Sequence, residues 1–85
     1  MKYRKKPVII EAYQNIDHNQ EQVPIWFGNA LVSRNLFFRD DGFLYVKTLE
    51  GDMKSLPGDF IIQGVKGEIY SCREDIFHQT YELVQ

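Results

Sequence analysis

The sequence predicts an α+β domain: one main helix packed on a curved, mostly antiparallel sheet or partly open small β-barrel, with a short helical turn before a C-terminal strand. Three observations predict it. Apolar residues follow a helical period in one segment only, Val23 to Asn35. Short runs rich in β-branched and aromatic residues fill most of the rest. Glycine- and aspartate-bearing turns join those runs as a meander.

Each element has its own reason. "PVIIEAYQ", residues 7 to 14, predicts a strand, with Pro7 at the first position, where a missing N–H is tolerated. Val8, Ile10 and Ala12 alternate with Ile9, Glu11 and Tyr13, so both faces are largely apolar. That pattern suits a strand covered on both sides, or one at the centre of a strongly curved sheet. Residues 15 to 22, "NIDHNQEQ", predict a polar loop with Asp17 and Asn19 as candidate caps. In "VPIWFGNALVSRN", Val23, Trp26, Phe27, Ala30 and Leu31 form one stripe at helical spacing. Pro24 sits near the start, Gly28 weakens the middle unless it allows close packing, and Asn35 is a left-handed terminator.

Beyond the helix, strands are expected at about 36–39, 43–49 and 52–56, broken by "DDG" and "EGD". "PGD" places Pro57 and Gly58 at the centre of a type II turn, with Asp59 placed to tie that turn down. Strand "FIIQ", a turn around Gly64 and strand "EIYSC" follow. The tail "REDIFHQTYELVQ" predicts one helical turn, with Ile76 and Phe77 facing inward, and a last strand "TYELV".

The 85 residues suit one domain spanning 1–85. A domain this small gains little net stability from burial, so self-association is expected to help. Cys72 is the only cysteine, which excludes an internal disulfide and fits a reducing cytoplasm. The basic start is followed by only Val8, Ile9 and Ile10 before Glu11, too short for a secretory signal or a membrane span, so no membrane partner is expected. The net charge of -2 gives no global attraction for nucleic acid.

No catalytic constellation is visible, so a non-enzymatic role without cofactor or metal is expected. His18, Cys72 and His78 lack the paired spacing of a zinc site. A Cys72/His78 nucleophile pair is weaker than its alternative, a small strand residue and a polar turn residue. The glycines at 58, 64 and 67 lack the lysine, the serine and the strand-to-helix context of a phosphate cradle. Asp59, Lys66 and Glu68 are candidate ligand-binding residues on an exposed edge. Lys2, Arg4, Lys5 and Lys6, interleaved with Tyr3, are candidate nucleic-acid contacts, and Tyr13, Tyr45 and Tyr70 are candidates for a shared stacking face. Against that stands a plainer role for the basic cluster, keeping an edge strand from pairing with neighbours.

"MKYRKKPVIIEAYQ" together with "TLEGDMKSLPGDFIIQGVKGEIYSCREDIFHQTYE" resembles a group of small uncharacterised proteins encoded by phages and prophages. Many of those begin with K/R-K-P-V-x-I-E-A. They carry an L-E-G-x-M turn, a P-G-D-[WYF]-I-I-x-G-V-x-G-E-x-Y block and a terminal D-I-F-x-x-T-Y-E. Residues 15 to 42 fall outside the resemblance, and Ser71-Cys72-Arg73 departs from it, since other members favour a proline and lysine nearby. The resemblance implies an accessory protein in the cytoplasm of a host bacterium, with no reaction or cofactor to carry across. The expected function is a non-enzymatic interaction module, self-associating as a homo-oligomer, that binds a phage or host macromolecule, with a phage or host protein as the expected partner. The alternatives are a small-ligand, nucleotide-like binder with a pocket between helix and curved sheet or at a subunit interface near the 64–67 turn, and a single-stranded nucleic-acid binder.

Overall fold

The computed structural model describes residues 1–4, 6–16 and 23–84. Asp17, His18 and Asn19, with the two candidate caps among them, lie outside the described residues, as does Lys5. The elements run β1 (Glu11–Gln14), α1 (Ile25–Val32), β2 (Leu36–Phe38), β3 (Leu44–Thr48), β4 (Gly51–Ser55), β5 (Phe60–Gln63), β6 (Ile69–Cys72) and α2 (Glu74–Thr80). The α+β class is therefore that of the molecule.

The strands divide into two antiparallel three-stranded sheets, ordered β1-β5-β6 and β2-β3-β4, and no closed barrel forms among the described residues. The second sheet is a local meander. Its hairpin from β2 to β3 turns over Asp40, Asp41 and Gly42, with Gly42 at φ 82° and its N–H donating to the Arg39 carbonyl at 2.9 Å. The β5–β6 hairpin repeats the device: Gly67, at φ 81°, donates to the Gly64 carbonyl at 3.0 Å. A glycine in the left-handed region closes a three-residue loop without steric cost. The first sheet is not local, because β1 pairs with β5, Ala12 facing Ile62.

Helix α1 buries the predicted stripe. Phe27 and Ala30 join Leu36, Leu44, Val46 and Ile61 in the core, with Tyr13, Val23, Trp26, Leu31 and Ile69 packed around them. The helix begins at Ile25 after Pro24, and its left-handed residue is Arg34 (φ 69°), one position before the expected Asn35. Alternation places Tyr13 and Ile61 on the α1 side of the first sheet, and Gln14, Phe60 and Ile62 on the other. That other side is covered by α2, whose Phe77 ring stacks on Phe60 at a centroid distance of 3.9 Å. Within β1 only Ala12 and Tyr13 carry the apolar alternation onto covered faces; Val8 and Ile9, which supplied most of it in the sequence, stand exposed before the ladder.

Two expectations are corrected. The C-terminal strand "TYELV" does not form: Thr80 closes α2 and residues 81–84 make no ladder. The expected single helical turn instead runs to Thr80, because Phe77 packs on Phe60 and Tyr81, and the Tyr81 hydroxyl meets that of Tyr70 at 3.3 Å. The first strand is also shorter than expected, since residues 7–10 precede the β5 ladder, which starts at Glu11.

Candidate functional site

Asp59, Lys66 and Glu68 do not converge. Asp59 stands just before β5, whereas Lys66 and Glu68 stand at the hairpin tip beyond its far end. Each carboxylate serves its own turn. Asp59 accepts the Leu56 N–H at 2.9 Å, and the Asp59 N–H donates to the Leu56 carbonyl at 3.0 Å around Gly58 (φ 96°). These bonds fasten the "PGD" turn as a type II geometry requires. Glu68 accepts the Lys66 N–H at 2.9 Å, and its carboxylate occupies the space a side chain at Gly64 would need. Lys66 is exposed between them.

The tyrosines do not form one platform. Tyr13 packs edge-on against Phe27 with centroids 5.0 Å apart, and Tyr70 is engaged with Tyr81. Tyr45 stacks on Phe37 under the Arg39 guanidinium and donates to Asp41. Lys2, Arg4 and Lys6 are exposed, with Tyr3 the one open ring among them.

The Cys72 thiol is pushed above its ordinary value, first by burial and then by the carboxylates of Asp59 and Asp75. An activated nucleophile needs the opposite shift. His78 sits edge-on to the rings of Phe60 and Phe77. Among the described residues no group of three or more His, Cys, Asp or Glu side chains is arranged to hold a metal ion, and no helix is long and apolar enough to cross a membrane.

What the fold does assemble is an apolar groove of about 510 Å³ on the α2 side of the first sheet. Val8 to Ala12 form one wall, Phe60 and Phe77 stand within it, and residues 81–84 form the other wall. Ile9, Leu83 and Val84 are 74%, 85% and 68% exposed, a concentration of apolar surface that a folded chain normally covers. This is neither of the two places where a pocket was expected. The groove joins the two ends of the chain, and local sequence patterns carry no signal for that contact. Comparison with protein-family models, with curated proteins and with solved structures gives no match.

Proposed function

We propose that the chain is a phage or prophage accessory protein acting without catalysis, as an interaction module that binds a phage or host protein through this groove. The observation that carries the reading is the exposed apolar wall of Leu83 and Val84 beside the rings of Phe60 and Phe77. Aromatic and aliphatic surface of this kind is what protein interfaces bury. The polar residues first considered for a small ligand support it less, since Asp59 is a strand's length from Lys66 and Glu68 and all three belong to turns. Stacking of single-stranded nucleic acid is supported less again, because Tyr13, Tyr45 and Tyr70 already have ring or hydroxyl partners.

Native mass spectrometry of the protein recovered from phage-infected cells tests the reading. The wild type is expected to carry one defined protein partner, and Leu83→Glu, at an exposed position, is expected to lose it while staying folded. Recovery without a protein partner, recovery of a small molecule alone, or equal retention by Leu83→Glu would each sink it.

A further inference from the structure

Strand β1 is an edge. Its one ladder partner is β5, and no strand lies on its other side among the described residues. The direction of its free groups follows from one bond. Asn15 donates its N–H to the Asp59 carbonyl at 2.7 Å, so odd-numbered residues of this strand face β5 and even-numbered ones turn outward, the Gln14 carbonyl already accepting the Ile16 N–H at 3.0 Å. Alternation carried back from β1 through the apolar stretch gives Val8 and Ile10 the same outward direction. Pro7 is odd-numbered, so its missing N–H takes nothing from the outward row.

The same strand divides the charge. Lys2, Arg4 and Lys6 precede it, all exposed. At its other end the Gln14 side chain donates to Glu74 at 2.6 Å, close to Asp75 and Asp59, with Arg73 the one cation paired there. A basic arm at one end and an acidic patch at the other are complementary only when a second strand runs antiparallel.

We propose that two copies of this chain pair antiparallel along the outer edge of β1 and residues 7–10, setting the basic arm of each against the acidic start of α2 of the other. A twofold axis perpendicular to the sheet keeps every side chain on its own face, so residues brought opposite share parity. The register centred on Ile9 satisfies this. It sets Ile9 against its own copy, Val8 against Ile10, and Arg4 against Gln14, on the face where Gln14 holds Glu74. Centring on Glu11 opposes two carboxylates, centring on Ile10 sets Ile9 against Glu11, and centring on Val8 sets Lys6 against Ile10. The pairing makes one six-stranded sheet and covers an edge otherwise open to indiscriminate pairing.

Sedimentation equilibrium and native mass spectrometry of the full chain test this. The wild type is expected at twice the chain mass. Arg4→Glu is expected to weaken the dimer about tenfold or more, and adding Glu74→Arg to recover most of that loss, as close charge pairs across an interface do. Val8→Pro, which removes an outward N–H, is expected to give a folded monomer by near-ultraviolet circular dichroism. A wild type that stays monomeric up to roughly 0.1 mM, a dimer indifferent to Arg4→Glu and Val8→Pro, or a charge swap without recovery overturns the proposal. So does a monomer that accepts an added extended peptide on this edge. The groove reading fails separately, because Leu83→Glu is read by the protein partner and not by the dimer mass.

Discussion

The side-chain amide of Asn15 donates to the Ser55 hydroxyl at 3.0 Å, and both residues are buried. The same amide reaches the carbonyls of Ser55 and Leu56, while the Asn15 backbone exchanges bonds with Asp59 and Gly58 at 2.7 Å. One polar residue thus ties the end of β1 to the whole turn between β4 and β5. Asn15→Ala strands buried acceptors, so a loss of about 1 to 3 kcal/mol is expected in urea unfolding. Ser55→Ala removes one partner of several and is expected to cost less.

Gly58 holds φ 96° in that turn. Nothing obstructs a methyl group there, so the cost of Gly58→Ala is conformational, about 1 to 2 kcal/mol. Thermal unfolding of this variant reads it directly.

Gly28 is the opposite case. A methyl group at this position in α1 meets nothing within 4 Å, so close packing does not explain the glycine. Gly28→Ala is expected to stabilise the protein by up to about 1 kcal/mol. A lower urea midpoint would contradict this.

The Asp41–Tyr45 bond ties stability to pH at both extremes. Asp41 is held below its usual 3.8, first by the Tyr45 hydroxyl, then by the Phe43 N–H, and Tyr45 is held above its usual 10.0 by Asp41. The carboxylate's contribution is present above pH 3.8 and is lost as pH falls through the lowered folded value. The phenol's contribution is present below pH 10.0 and is lost as pH rises through the raised one. Urea midpoints of Tyr45→Phe are expected to fall less steeply than the wild type's at both ends.

Phe77 fastens α2 through its stack on Phe60. Phe77→Ala is expected to release the helix locally, with faster amide exchange from Glu74 to Thr80 and the β2-β3-β4 meander still protected.

Helix α1 and the four glycine turns were legible in the sequence because each depends on neighbours within a few residues: the Val23-to-Leu31 stripe, "DDG", "EGD", "PGD" and the turn between Gly64 and Gly67. Asn15 was not. At the end of a strand it reads as the first residue of a polar loop, and only the turn forty residues on makes it a buried anchor. "TYELV" alternates like a strand, yet the Tyr70 hydroxyl and the Phe77 ring hold Tyr81 where no ladder starts. The expected edge of Asp59, Lys66 and Glu68 failed to gather for a related reason: Asp59 and Glu68 each bond within their own turn, at opposite ends of β5.

Because Ala12 pairs with Ile62, the first sheet cannot close until β5 has been made, whereas the second needs nothing beyond Ser55. On the ribosome the β2-β3-β4 meander can close as soon as Ser55 has emerged, whereas "PVII" travels ahead unpaired until the β5 segment follows it out. Until the acidic start of α2 has been made, the like charges of Lys2, Arg4 and Lys6 on neighbouring nascent chains only repel one another, which disfavours joining through that stretch.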